Sequence, residues 1–327
     1  MAHPAISATS VLFLTTLIGL RYQVGGDWGN YLGYLDRSSR LTLGEVFVQG
    51  DPGYILLNWL AVHTVGDIWG VNLVCGLLFS IGLVSFVRIQ PRPWLALLAA
   101  VPYLVIVVAM GYSRQGVAIG LALLGLVSLT RDRSVVKFVM WVALAATFHK
   151  TALLLVPIAA LATDRGRIWT AMWVGGATAL LYYLFLEDSV GSLVSGYIDA
   201  EYNSQGATIR VAMNALPAAI FLLARRRFHL TRVELRLWTN MAWLALGFVV
   251  LLVISPSSTA VDRLALYVIP LQLFVLARLP EAFPDTGRGL SVVAIGVIVY
   301  SAAVQFVWLN FAVYADGWIP YQFYPLL

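Results

Sequence analysis

The sequence predicts an all-α polytopic membrane protein, a single membrane domain over residues 1–327. Three observations carry this. Hydrophobic residues make up 60% of the chain and charged residues 11%, with a mean hydropathy of +0.84, which excludes an ordinary soluble globule. Apolar runs follow one another, several of about 17–25 residues, enough to cross about 30 Å of hydrocarbon. The basic residues also alternate in side as a helical threading requires. The single cysteine, Cys75, lies inside an apolar run and supplies neither a disulfide framework nor a metal site. In this setting the net charge of +5 reports loop charge that sets topology rather than a nucleic-acid partner.

Taken in order, the apolar runs are 5–20, 70–87, 94–112, 115–130, 135–148, 151–163, 168–186, 207–224, 237–254, 264–279 and 290–312, about eleven spans. The first has no basic n-region and no clear small-residue cleavage site, so it is expected as an uncleaved helix. After it, "RYQVGGDWGNYLGYLD" offers Gly25-Gly26 as a flexible pair and Asp27 as a helix cap. Asp27, Asn30, Tyr31 and Tyr34 share one helical face, and Trp28, Leu32 and Leu35 share another. This predicts an interfacial helix with its apolar side in lipid and its polar side roofing a cavity. Asp51 as N-cap and Pro52 as first helical residue predict a further helix near 54–65. It is too short to span comfortably and is expected along the membrane surface.

The cations test the threading. With the N-terminus inside, Arg88, Arg92, Arg131, Arg133, Lys137, Arg165, Arg167, Arg225, Arg226, Arg227, Arg232, Arg236, Arg278 and Arg288 all fall inside. That is fourteen of the 21 basic residues. Asp27, Asp36, Glu45, Asp51, Asp67, Glu187, Asp188, Asp199, Glu201, Asp262 and Asp316 fall outside. A crossing at 54–65 would invert every later loop and break the positive-inside rule. The expected orientation is N-terminus cytoplasmic and C-terminus external, with outer segments at 21–69 and 187–206. No internal repeat or domain linker interrupts the chain.

The exceptions mark a candidate site. Arg21, Arg37 and Arg40 lie in the first outer loop. Arg114, Lys150, Arg210 and Arg263 each abut the outer end of an apolar span. Each alone is explained by snorkelling to headgroups; together they form a cluster facing an anionic ligand. Spans 135–148 and 151–163 are short, about 20 Å at about 1.5 Å per residue. Their shared tip, "TFHKTALLLVP", should therefore lie below the outer headgroups, where a polar turn needs a water-filled cavity or protein around it. His149 and Lys150 are expected to line such a cavity; a histidine satisfied by a neighbouring helix is the plain alternative.

Other motifs are sparse. No phosphate-binding glycine loop and no nucleophile elbow occurs. His3, His63, His149 and His229 are too scattered for zinc. The "DAE" of Asp199–Glu201, flanked by Tyr197 and Tyr202, reads either as a two-carboxylate site for a divalent metal or as a solvated loop. No cofactor is expected.

In "GGDWGNYLGYL", "DPGYILLNWL", "YSRQGVAIGLAL" and "TFHKTALLLVP", in that order over roughly residues 20–160, the chain resembles the EpsG family of exopolysaccharide polymerases. That family belongs with the Wzy-type O-antigen and capsule polymerases. Over the second half the likeness lies in hydropathy, Arg210 and the pair Asp262-Arg263. Asp51 stands where the resemblance leads us to expect a glutamate. The resemblance implies a GT-C-like glycosyltransferase fold with outer-face juxtamembrane helices between the first and second spans. It also implies polymerisation of undecaprenyl-diphosphate-linked oligosaccharide units at the outer face of the bacterial inner membrane, alongside flippase and chain-length regulator proteins. The growing glycan would pass from its lipid diphosphate to the non-reducing end of an incoming unit.

The chemistry suits the residues. Expulsion of a diphosphate develops negative charge, which arginines meet with bidentate donors. Arg114, Arg210 and Arg263 are the expected clamp, and His149 or Asp27 the base for the acceptor hydroxyl. The expected substrate-binding residues are Lys150, Tyr31, Tyr34, Asp262 and Arg21. Three rival functions share some of these features: a single-sugar polyprenyl-phosphate-dependent transferase, a membrane-embedded O-acyltransferase, and a lipid-linked saccharide flippase. The acyltransferase would place polar motifs inside, where the loops are basic and bland. The flippase would need two pseudo-symmetric halves.

Overall fold

The computed structural model describes residues 4–64, 66–158, 167–185, 204–284 and 291–327. Among these no β-strand forms; one isolated bridge joins Arg21 and Phe323. The helices are α1 (Pro4–Gly19), α2 (Trp28–Ser38), α3 (Leu43–Val46), α4 (Pro52–Thr64) and α5 (Ile68–Arg88). Next come α6 (Pro93–Ala100), which widens into a π-helix over Val101–Ala109, then α7 (Ser113–Thr130) and α8 (Val135–Phe148). A 3-10 turn, Lys150–Leu155, precedes α9 (Arg167–Phe185), α10 (Ala207–Ala224) and α11 (Arg232–Ile254). The chain closes with α12 (Ser258–Ala265), α13 (Ile269–Ala282) and α14 (Val292–Phe311).

Local chemistry starts these elements. The Asp67 carboxylate accepts from Ile68 N at 2.5 Å and begins α5. Ser134 Oγ accepts from Lys137 N at 3.2 Å ahead of α8, and Thr231 with Glu234 makes a reciprocal capping box on α11. Pro102 sits where the α-helix opens into the π-helix, since its ring removes a donor and crowds the preceding carbonyl.

Among the described residues, six helical stretches are long and apolar enough to cross a membrane: Ile68–Arg88, Ser113–Thr130, Ala207–Arg227, Arg232–Ile254, Ser258–Ala282 and Val292–Phe311. Ser7–Gly19, Pro93–Ala109 and Val135–Phe148 are shorter apolar helices. Of the expected span 151–163, the described part ends at Ile158. Helix α5 packs against α1 and α7, and α7 against α8; α10 packs against α11 and α13. At the α5–α7 crossing, a side chain at Gly82 or Gly120 would strike the other helix's backbone, so only glycines permit this approach.

One end of the bundle gathers residues that the sequence places outside. Arg21 meets Asn72 and Ser113, Arg114 meets Asp51, and Arg210 meets Asp262. At the other end Arg131 reaches Ile89 O, and Arg278 meets Gln90 and approaches Glu234. Both ends of α4 lie at the first end: Asp51 pairs with Arg114, while Trp69, just beyond Asp67, packs on Tyr22 and stacks on Tyr324. Helix α4 therefore returns to the side it leaves. Its Tyr54, Ile55, Asn58 and Ala61 are buried against its neighbours.

Helix α2 corrects two expectations. Asp27 stands at its N-cap position, yet its carboxylate makes no capping bond and instead accepts from Asn30 Nδ2 at 3.3 Å. The lipid-facing side is also narrower than the spacing implied. Trp28 and Leu35 pack on the core, with Trp28 close to Tyr22 and Trp69, leaving Leu32 exposed. The rings of Trp28, Tyr31 and Tyr34 pack against Tyr22, Trp69 and Tyr54, so the aromatic side of the helix faces inward.

Candidate functional site

Three breaks in the helical pattern and one short helix build the site. The π-helix ends at Ala109, and the turn Gly111-Tyr112 leads into α7 with Arg114 in its first turn. Helix α8 stops where His149 turns extended, at φ −156° and ψ 109°, so Lys150 starts a new 3-10 turn. Asp51 precedes α4, and Asp262-Arg263 lies in the short α12.

Arg114 Nη1 donates to Asp51 Oδ2 at 2.6 Å, and its guanidinium lies 4.8 Å from the Tyr34 ring and 6.0 Å from the Tyr54 ring. The Lys150 backbone N–H also donates to the Asp51 carboxylate. Burial pushes the Asp51 carboxyl above its usual range, against the opposing pull of Arg114 and Lys150. Arg114 Nε is buried with no partner among the described residues, as is Tyr54 Oη.

Arg210 and Asp262 form a two-pronged pair, Nε to Oδ1 and Nη2 to Oδ2, each at 2.6 Å. Arg210 also donates to Ser204 Oγ and, at 3.2 Å, to Gln205 O. Arg263 differs. Its guanidinium lies 4.1 Å from the centre of the Tyr112 ring, and among the described residues it makes no ion pair. Gln115 Nε2 holds the Arg263 backbone carbonyl at 2.7 Å.

His149 Nδ1 meets Thr151 Oγ1 at 2.6 Å and Tyr267 Oη at 3.3 Å. These contacts orient the ring. The charges of Arg114 and Arg263 both reach His149. Tyr31 is buried, and burial with the nearby Asp27 charge raises its hydroxyl well above the ordinary range; Arg114, Arg21 and Arg263 act on it in the opposite sense. Tyr112 feels Arg263, Arg210, Asp27 and Asp262 together. These influences join Asp27, Tyr31, Arg114, His149, Arg210, Asp262 and Arg263 into one polar neighbourhood at one end of the bundle.

Arg21 has a different setting. It is 1% exposed, and its guanidinium donates to Ile18 O, Val24 O, Asn72 Oδ1 and Ser113 Oγ. It fastens the end of α1 to α5 and α7, directly beside Arg114. Tyr34 lies between two cations, Arg37 at 4.6 Å and Arg114 at 4.8 Å from its ring.

Sequence reasoning misses Asp51, Tyr54, Tyr112, Thr151 and Tyr267 as members of the site. In sequence Asp51 has the position of a helix cap. Its backbone carbonyl does accept from Ile55 N at 3.0 Å, but its carboxylate goes to Arg114. The adjacency of Tyr112 to the "SR" step and of Thr151 to "HK" is the available signal; Tyr267 has none, being brought by α12 and the turn after it. Asp199–Glu201, Tyr197, Tyr202 and most of the outer segment 187–206 lie outside the described residues. Among the described residues no group of three or more histidine, cysteine or acidic side chains is placed to hold a metal.

Comparison with known proteins gives one match. The model of the EpsG family matches residues 5–323. No curated protein and no solved structure matches the chain.

Proposed function

We propose, from the premise that the chain belongs to the EpsG family, that it is a membrane glycosyltransferase polymerising diphosphate-linked oligosaccharide units into a polysaccharide. Undecaprenyl diphosphate is the proposed carrier, and the outer face of a bacterial inner membrane the proposed location. The proposed topology has about eleven crossings in a GT-C-like arrangement, with the N-terminus cytoplasmic. A flippase supplying the units and a chain-length regulator follow as proposed partners.

The observation that carries this reading is the convergence of Arg114, Lys150, Arg210 and Arg263 from four separate elements on one polar neighbourhood of an otherwise apolar chain. Asp51 meets Arg114 and Asp262 meets Arg210, so the charge that Arg263 adds in this low-dielectric setting calls for a further anion. A diphosphate supplies it. In the transfer, the acceptor hydroxyl oxygen bonds to the donor's anomeric carbon. The bond from that carbon to the phosphate oxygen breaks, its electron pair leaves with the lipid diphosphate, and the hydroxyl proton goes to a base. Donors fixed in advance around the leaving group stabilise the charge as it develops.

The arginines divide their work. Arg210 has its donors engaged by Asp262, Ser204 and Gln205, and builds the wall of the site. Arg263 and the unpartnered Nε of Arg114 face the diphosphate, with Lys150 in support. His149 and Asp27 are the two proposed bases for that proton. Glycan profiles of a deletion strain test the reading: units capped once without long chains support a polymerase, whereas truncated units mean a single-sugar transferase. The base is identified by measuring turnover and lipid-diphosphate affinity for His149→Gln and Asp27→Asn. A loss of about 10²–10⁴-fold in turnover with affinity kept is expected for the base alone.

A further inference from the structure

A groove of about 460 Å³ runs between α10 and α14. Its walls are apolar, with Leu216, Ala303, Val307 and Phe311 along them, and Arg210 and Tyr103 at its head. Of the six described helical stretches long enough to span, α14 has the smallest buried share, 22% of its most apolar window, and the groove runs along it. From Phe311 to Tyr300 it follows α14 for about 16 Å. Tyr103 is 5% exposed and feels the charges of Arg210, Asp262 and Arg263. Tyr103 and the Arg210–Asp262 pair thus form a sill, with hydrocarbon on one side and the cationic site on the other.

We propose that this groove seats the hydrocarbon tail of the lipid-linked diphosphate, whose headgroup crosses the Arg210–Asp262 sill toward Arg263. This rests on the polymerase reading above. An apolar groove with an arginine at its head suits an amphiphile with a charged headgroup and a hydrocarbon chain. Moving such a chain from lipid into an apolar groove gains no hydrophobic free energy, because lipid tails are equally apolar. The groove instead fixes depth and direction through close contact, so that the sugar–phosphate bond stands at the site's level. Small residues make room: Ala212 and Ala303 line the groove where larger side chains would fill it.

The test uses the full chain in nanodiscs, with one glycan attached to undecaprenyl diphosphate or to geranyl diphosphate. Wild-type protein is expected to prefer the long chain by about tenfold or more in kcat/KM. Ala303→Trp fills the groove and should bring the two substrates to near parity by slowing the long one alone. Leu223→Trp, on a side chain 89% exposed and outside the groove, should keep the preference. An Ala303→Trp variant with its preference intact overturns the proposal. A photoreactive undecaprenyl diphosphate without glycan gives a readout free of catalysis. Crosslinks at Leu216 and Val307 should be displaced by unlabelled undecaprenyl diphosphate and not by phosphatidylglycerol; equal displacement by both would make this an ordinary lipid contact and overturn the proposal. Specific crosslinks in a protein that transfers no glycan would uphold the tail seat and defeat the polymerase reading.

Discussion

Arg263 is the residue on which the charge balance of the site turns. Arg114 is met by Asp51 and Arg210 by Asp262, while Arg263 has only the Tyr112 ring among the described residues. Arg263→Ala is therefore expected to lower polymer formation by about 10²-fold or more at normal protein level, since a preorganised donor to a leaving group is typically worth that much. Arg263→Lys should recover little, because a point charge does not reproduce a planar fork. Polymer on glycan blots from Arg263→Ala at wild-type length would refute the assignment. The Arg114–Asp51 pair makes a pH prediction. Burial raises the folded pKa of Asp51 above the ordinary 3.8, so its contribution to stability is full below that value and fades as pH rises through the raised one. Arg114→Ala removes the main opposing pull and raises it further. Melting temperature should then fall more steeply between acidic and neutral pH in Arg114→Ala than in wild type, and Asp51→Asn in that background should flatten the slope. The loss at neutral pH should stay below the about 3–5 kcal/mol of a fully buried broken pair, as Arg114 is 28% exposed. Equal pH slopes in all three proteins would show that the pair is not coupled to folding.

Helix α4 shows how an element's length and its neighbours decide a topology. Thirteen residues span about 20 Å, short of about 30 Å of hydrocarbon, and both ends of α4 contact the same end of the bundle. Single cysteines at Gln49 and Thr64 should therefore react with a membrane-impermeant thiol reagent from the same side. The native Cys75 is buried and should stay silent. Labelling of the two positions from opposite sides would refute the arrangement. The α5–α7 crossing rests on a different property, the absence of side chains at Gly82 and Gly120. Gly120→Leu should separate these helices and shift the protein from a monodisperse to an aggregated profile in size-exclusion chromatography, since overpacking a tight contact costs about 1–3 kcal/mol or more.

At the scale of the whole molecule, the C-terminal segment 312–327 ties the first loop to the middle of the bundle. Gly25 N donates to Gly317 O at 2.7 Å, and Tyr324 N to Leu20 O at 2.9 Å. Trp318 Nε1 donates to Ile106 O at 2.7 Å, and its ring lies against Gly111, one residue before the tyrosine that faces Arg263. Trp318→Ala should lower thermal stability by about 3 kcal/mol, the usual cost of deleting a buried tryptophan, and reduce activity through loosened positioning of Tyr112. Unchanged melting and activity in that variant would show the tail to be a passive appendage.

Composition and hydrophobic period are properties of the sequence by itself, and they determined the class of the molecule and the course of its helices. Apolar runs fixed where helices form, because a backbone in hydrocarbon must satisfy its own hydrogen bonds. The placement of arginines fixed which ends go together, and four motifs in order pointed to the family whose model matches residues 5–323. Arg114, Lys150, Arg210 and Arg263 stand out in the sequence as single cations abutting apolar spans, and the structure shows Arg114 and Arg210 each meeting a carboxylate. Only the tertiary structure decided how these cations are partnered. Asp51 and Arg114 are 63 residues apart, Arg210 and Asp262 are 52 apart, and no local rule distinguishes a carboxylate that caps a helix from one that neutralises a distant guanidinium. The same holds for Arg21, a loop cation in the sequence and a buried fastening in the fold, and for Tyr267, which only packing brings to His149. Pairing depends on distances across helices, and those are set by glycine contacts and side-chain volumes that act between elements far apart in the chain.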